Sequence, residues 1–443
     1  MERLQPVLAG LVTALVGFTS SFTVVLAGLR AVGADQAQSA SGLLAVSVIM
    51  GVVALQASVR SRMPISIAWS TPGAALLVSS GAVPGGFGTA VAAFGICGLL
   101  TVATGVVARL RQLVLAIPRP LANALLAGVL VQLCVVPVAT VKHRPGLALA
   151  IIATWLVLSR YARRWAVPAA MAVALTEIVL SSSSADLSGI SLAPRLVLTA
   201  PTLNLTACTL GLSLFVVTMA SQNVPGIAVL EGFGYRPPVR TVLLDTGLAT
   251  VAGAALGAHV VNMAAISAAL CAGPEAGVDR GRRWIASVVA GLTYIVFGLS
   301  AGLLAALVAV APAGLVETVA GLALMATLGA ALSAAVADLA PGGAAAAHRK
   351  ERGPKARART TSGYREAAVI TFLITVSGVS FGGIGSAFWG LAAGLAVLAF
   401  LDPQLLRATG QGEEVLETDG PQEAAGQRPS TRLTAAATAE GRP

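Results

Sequence analysis

Two stretches decide the reading of this chain. They are Pro64-Ile65-Ser66-Ile67-Ala68-Trp69-Ser70-Thr71-Pro72-Gly73-Ala74-Ala75-Leu76 and His259-Val260-Val261-Asn262-Met263-Ala264-Ala265-Ile266-Ser267-Ala268-Ala269-Leu270. Each is a short polar break in apolar sequence, and each reads as extended backbone turning into a half-length helix. Irregular backbone at membrane depth persists only where it is buried in protein or lines a cavity, so the two breaks point to a binding site.

In the first break, Ile65 to Ser70 in extended form covers about 20 Å at roughly 3.3 Å per residue. A helix from Pro72 to Ser80 adds about 14 Å at roughly 1.5 Å per residue, enough together to cross a hydrocarbon core of about 30 Å. Thr71 suits the N-cap and Pro72 the first helical position, where no amide hydrogen is needed. The second break enters from the opposite side and its half-helix ends near Gly273-Pro274. Both half-helices therefore aim their N-termini at one central region. Each N-terminus carries roughly half a positive charge and free amide donors, so the two together offset about one carboxylate.

The rest of the sequence places these breaks in a membrane. Of 443 residues, 56% are hydrophobic and 11% charged, against about 25% charged in soluble domains. Apolar segments fall at 6–29, 41–59, 64–81, 87–108, 119–137, 145–159 and 166–181, then at 207–231, 238–257, 259–273, 284–310, 312–337, 365–381 and 383–401. The first is too long for a signal-peptide core and reads as a retained span. With the N-terminus inside, 25 of the 29 Lys and Arg fall on the cytoplasmic side, leaving Arg30, Lys142, Arg144 and Arg195 outside. That is the positive-inside pattern, so the net charge of +10 reports topology and excludes a nucleic-acid partner.

The fold class expected is thus an all-α polytopic membrane protein of fourteen transmembrane segments. Seven is odd, so two sets of seven make an inverted repeat, with the broken segments third and tenth. Internal similarity is faint: Leu26-Ala27-Gly28-Leu29-Arg30 resembles Ala228-Val229-Leu230-Glu231-Gly232, and the breaks follow some forty residues later in each half. The domains expected are a core of 1–110 and 207–310 and a gate of 111–181 and 311–402, joined by an outside linker at 182–206. Residues 338–364 read as a basic cytoplasmic loop, and 403–443 as a disordered cytoplasmic tail.

The densest polar cluster at mid-depth is Thr218-Met219-Ala220-Ser221-Gln222-Asn223-Val224-Pro225-Gly226. Gln222 and Asn223 each bring amide donors and an acceptor. Ser20 and Ser21 occupy the equivalent place in the first half. Candidate substrate contacts are Ser20, Ser21, Trp69, Ser70, Thr71, Pro72, Gly73, Met219, Ser221, Gln222, Asn223, Ala265, Ile266 and Ser267. Asn262 is a supporting residue. His259, able to titrate near neutrality, is the proton-coupling candidate. Glu177, Glu231, Asp245 and Glu317 read as lying near span ends. Cys97, Cys134, Cys208 and Cys271 lack metal-type spacing and read as packed thiols. No metal, cofactor or catalytic constellation is expected, which argues against an enzyme.

At these motifs the chain resembles the benzoate/proton symporter (BenE) family, from about residue 5 to residue 402. The stretches that carry the likeness are Ala68–Leu77, Thr218–Ala228, Gly257–Ile266 and Gly383–Gly390. The resemblance implies inner-membrane uptake of benzoate or a related aromatic carboxylate with a proton. It also implies the seven-plus-seven fold shared with uracil and sulfate permeases, a core moving against a gate, and a possible homodimer through the gate. One departure is Gly277, where the family pattern has His. An anion or nucleobase permease of the same fold is the alternative. Amides and small residues stand where nucleobase permeases place acids, which favours a carboxylate.

Overall fold

The computed structural model describes residues 4–181, 195–337 and 354–401, except 313, 380, 382 and 383. The tail 403–443, most of the 338–364 loop and residues 182–194 of the linker lie outside the described residues.

Helices α1 (Gln5–Ala31) and α2 (Gln36–Ser61) precede strand β1 (Ile67–Trp69), α3 (Thr71–Ser80), α4 (Gly86–Val106), α5 (Ala108–Leu115), α6 (Arg119–His143), α7 (Pro145–Tyr161) and α8 (Ala166–Ser181). The second half has α9 (Leu205–Thr218), a π turn (Met219–Asn223), α10 (Val224–Gly232), α11 (Val239–Ala254), β2 (Val261–Met263) and α12 (Ala265–Ala272). Then come α13 (Trp284–Gly298), α14 (Ala301–Val310), α15 (Leu315–Ala337), α16 (Pro354–Ser377) and α17 (Ser386–Leu401). By length and composition six described helices can cross a membrane, or seven if the α13–α14 pair is one span.

Local chemistry sets several boundaries. Asp35 caps α2 by accepting from the Gln38 N–H at 2.7 Å, while the Gln38 side chain accepts from the Asp35 N–H at 3.0 Å, a reciprocal capping box. Arg62 ends α2 in the left-handed region at φ 53°. Asn204 caps α9, accepting from the Ala207 N–H at 2.8 Å. The described part of the linker is extended and tied down: Thr199 N–H donates to Ala255 O and Thr202 N–H to Gly88 O, both at 2.8 Å.

Several segment expectations need correction. Helix α2 starts at Gln36 rather than 41, because the Asp35 box draws Gln36–Ala40 into the helix. Helix α6 runs through Pro137 to His143 rather than stopping at 137. The segment expected to continue to 108 ends at Val106, and α5 follows across the expected domain boundary at 110. The segment 284–310 is not one rod: α13 and α14 meet at a 55° bend. Helix α16 begins at Pro354, inside the expected loop, where Pro suits a first helical turn. Asp245 lies in the interior of α11, with a side chain only 16% exposed, and not near its end. Cys208 is exposed rather than packed, whereas Cys97, Cys134 and Cys271 are buried.

The two strands pair antiparallel, with Ile67 opposite Met263, Ala68 opposite Asn262 and Trp69 opposite Val261. All six are buried except Ala68, which is half-buried. A two-stranded ladder is marginal alone. Here it sits inside a shell of helices, and its packing supplies the rest.

Candidate substrate site

The outward-facing amides of β2 are met by side chains. Met263 N–H donates to the Asn223 carboxamide oxygen at 3.0 Å, and Val261 N–H donates to Thr250 Oγ1 at 3.1 Å. The ladder's ends close with Ser70 N–H to Val260 O at 2.8 Å and Ala264 N–H to Ser66 O at 2.9 Å. The Ser58 hydroxyl donates to Ile65 O at 3.1 Å. These bonds supply protein partners to much of the buried extended backbone.

Each strand passes straight into a short helix. Ser70, not Thr71, is the N-cap of α3: its Oγ accepts from the Gly73 N–H at 3.1 Å, and Thr71 and Pro72 are the first two helical residues. The displacement by one residue follows from the ladder, which holds Ser70 extended at ψ 91°. Ala264 precedes α12 and offers no side-chain cap, so the first amides of α12 are open to another acceptor. At its other end the buried Arg283 guanidinium donates from Nη1 to Ala272 O at 2.6 Å and from Nε to Gly277 O at 2.8 Å. A cation there offsets the negative end of the α12 dipole, leaving the positive end facing inward.

A cavity of about 110 Å³ reaches the starts of both half-helices: Thr71 and Pro72 from α3, Ala264 and Ser267 from the α12 side. Ser20, Ser21, Trp69 and Gln222 complete the expected residues in its wall. Trp69 Nε1 donates to Ser21 Oγ at 2.9 Å, and the Ser20 and Ser21 hydroxyls both turn back to Gly17 O. The side chain of Gln222, half-buried in the π turn, makes no hydrogen bond among the described residues. Its carboxamide is therefore available to a ligand.

An aromatic cluster forms one side. Trp69 lies 5.3 Å from Phe18 and 6.5 Å from Tyr294, centroid to centroid, and Phe18 lies 5.2 Å from Phe297. Tyr294 also lines the cavity and is buried. Gly17 makes this possible: a Cβ there would stand 2.5 Å from the Tyr294 hydroxyl. Across the cavity, Leu130 of α6 and Ala323, Leu324 and Thr327 of α15 close it. Tyr294, Thr13, Thr327 and the α6 and α15 residues are absent from the sequence candidates. Of these, Tyr294 is legible in the sequence, as a phenol amid an apolar run.

Other candidates stand behind this wall. Ser70 is fully buried, capping α3 and sharing a hydrogen bond with Thr218 Oγ1 at 2.9 Å. Gly73 is in the first turn of α3, where a Cβ would meet Ser70 Oγ at 2.8 Å. Ser221 donates to Val217 O, and Asn223 Nδ2 donates to the Met219 sulfur. Ala265 opens α12 half-buried, and the Ile266 side chain lies outside the described ones. Asn262 Nδ2 donates to Met263 O at 2.6 Å, while its Oδ1 is buried without a partner. His259, the proton-coupling candidate, is fully buried, 6.5 Å from the Phe94 ring centroid, with Nε2 3.3 Å from Ser70 O. Among the described residues no group of three or more His, Cys, Asp or Glu could hold a metal.

The model of the family described as "Benzoate membrane transport protein" matches residues 2–400. The chain belongs to this BenE family. It is 35% identical over 389 residues to the Escherichia coli K12 "Inner membrane protein YdcO", covering 87% of this chain and 93% of that one. It is 26% identical over 407 residues to the "Benzoate membrane transport protein" of Acinetobacter baylyi, covering 90% and 96%. Among solved structures, the transmembrane domain of the cyanobacterial bicarbonate transporter BicA superposes with a TM-score of 0.55 at 15% identity, over 85% of this chain and 98% of that domain. BenE members are membrane transporters and not enzymes, and the fold seen here is a transporter fold.

Proposed function

We propose that this BenE-family protein is a secondary active transporter of the inner membrane that takes up benzoate, or a related aromatic carboxylate, with a proton. The observation that carries the reading is the single cavity touching both half-helix starts and walled by Trp69 and Tyr294. Its polar edge suits a carboxylate and its aromatic edge a ring. The carboxylate would rest on the open amides of α12 and the first turn of α3, with Gln222, Ser267, Ser20 and Ser21 as side-chain partners. Trp69, held by Ser21, would stack on the ring.

Ser70, Gly73, Asn223 and Asn262 act in this reading by fixing the two breaks, and Met219, Ser221, Ala265 and Ile266 by shaping the π turn and the α12 start. His259, closed off between Phe94 and the Ser70 carbonyl, positions the α3 cap; the proton travels elsewhere. Fourteen spans in two inverted sets, termini in the cytoplasm, would form a core and a gate. Elements α6 and α15 face the core across the cavity, so sliding of the core against them would expose the site to either side in turn. A homodimer through the gate completes the proposal.

The test is uptake of radiolabelled benzoate by proteoliposomes with an imposed pH difference. Saturable uptake, faster with acid outside and abolished by a protonophore, is the expected result. Uptake that fails to saturate or ignores the gradient, or competition by uracil or sulfate but not by aromatic acids, overturns it.

A further inference from the structure

A second cavity, of about 350 Å³, lies where the last turn of α2, the Met63–Ile65 segment and the start of α11 meet. Two guanidinium groups, Arg60 and Arg236, and the carboxylate of Asp245 line it. Ala57, Met63, Ile65 and Val242 make its apolar wall. Arg60 Nη1 stands 3.9 Å from Asp245 Oδ2, with side chains 60% and 16% exposed. That oxygen is buried and accepts no hydrogen bond among the described residues. The pair is therefore long and partly solvated, the weak kind of ion pair. Arg236 has no acidic partner among the described residues.

We propose that this cavity is a second binding site, for a small monocarboxylate with an apolar body. Its carboxylate takes Arg60 from Asp245 and joins Arg236, while the body lies on Ala57, Ile65 and Val242. Guanidinium groups grip a carboxylate in a planar, two-bond fashion that outcompetes a single 3.9 Å contact. Concave sites of this kind pair an apolar wall with a few convergent polar groups. The inference rests on the aromatic-carboxylate reading above and deepens it, because the site lies at the Arg-rich, cytoplasmic end.

The two cavities have no lining residue in common but are built on the same two segments. On α2, Met50 lines the central cavity and Ala57 the second, about 10 Å further along at roughly 1.5 Å per residue. Ile65 lines the second cavity, and Ala68 and Trp69 on the same strand segment line the first. An occupant of the second site therefore bears on the segment that carries the first. Accumulated substrate inside the cell would bind there and slow further uptake.

Equilibrium binding of radiolabelled benzoate to the purified full chain, with uptake by vesicles preloaded or not with benzoate, tests this. The wild type is expected to bind two equivalents and to be slowed by internal benzoate. The Arg60→Gln/Arg236→Gln double variant should bind one, escape that slowing, and keep its initial rate from empty vesicles. Asp245→Asn, which releases Arg60, should tighten the second site roughly two- to fivefold, the range expected for loss of such a pair. A merely structural role for Asp245 would weaken binding. One equivalent in the wild type, unaffected by the double variant, overturns the second site and leaves the central reading standing. One equivalent lost in the double variant but kept in Gln222→Ala supports the second site and overturns the central one. Absence of any benzoate binding overturns both.

Discussion

The Asn223 carboxamide oxygen accepts the Met263 backbone N–H at 3.0 Å, joining the π turn of one segment to the buried strand of another. Both partners are fully enclosed. The contact gives the polar cluster at 218–226 a structural task beside its task at the cavity. Replacing Asn223 with Ala leaves a buried amide donor without an acceptor, at a cost of about 1–3 kcal/mol. We expect lower thermal stability in detergent and loss of benzoate binding together. Asn223→Asp, which keeps an acceptor, should recover more of the stability than Asn223→Ala; equal melting temperatures for the two variants would refute the assigned bond.

Ser70 offers a cleaner separation of cap from contact. Its hydroxyl oxygen caps α3 at Gly73 N–H and is bonded to Thr218 Oγ1, but it lies behind the cavity wall. Loss of an N-cap costs about 1 kcal/mol. Ser70→Ala should therefore lower stability by that amount and weaken benzoate binding only through the looser start of α3. Ser70→Thr should restore the melting temperature. A binding loss in Ser70→Ala far larger than the stability loss would put the hydroxyl on the substrate itself.

Gly17 decides how close α1 comes to Tyr294. A Cβ at Gly17 would stand 2.5 Å from the phenol oxygen, so Gly17→Ala must push the ring away. The ring lines the cavity beside Trp69. Affinity for benzoate should fall, and Gly17→Ala combined with Tyr294→Phe, which removes the clashing oxygen, should regain part of it. Isothermal titration or scintillation-proximity binding would show whether the pair is coupled; additive effects would count against the contact.

Much of this architecture could be read from residue order alone, because its strongest signals are chemical. Polar residues, Pro and Gly interrupt apolar runs only where something requires it, and both breaks fell where those interruptions stand. The cap falls at Ser70 rather than Thr71, which is as good a capping residue in isolation, and only the pairing with Val260 decides between them. The split of candidates into wall and support was illegible for a similar reason. Gln222 and Asn223 are adjacent and chemically alike, yet the π turn sends one to the cavity and the other to Met263. The bend between α13 and α14 carries no Pro to mark it in the sequence.

In the sequence Arg283 is one of many charges on the side that carries most of the Lys and Arg, yet it is buried and holds the C-terminal end of the second half-helix. The Gly277 carbonyl it reaches belongs to a residue at φ +118°, a conformation that favours glycine. Removing the cation strips charge-assisted bonds from two buried carbonyls and uncovers the negative end of the α12 dipole. Arg283→Gln should therefore weaken benzoate binding from a distance, and low salt should not restore it. Arg283→Lys keeps the charge but not the forked geometry, and should retain more affinity than Gln while losing stability. If both variants bind benzoate as tightly as the wild type, the far end of α12 has no electrostatic part in holding the substrate. The inward amides at Ala265–Ser267 would then act as plain hydrogen-bond donors rather than as the positive end of a helix.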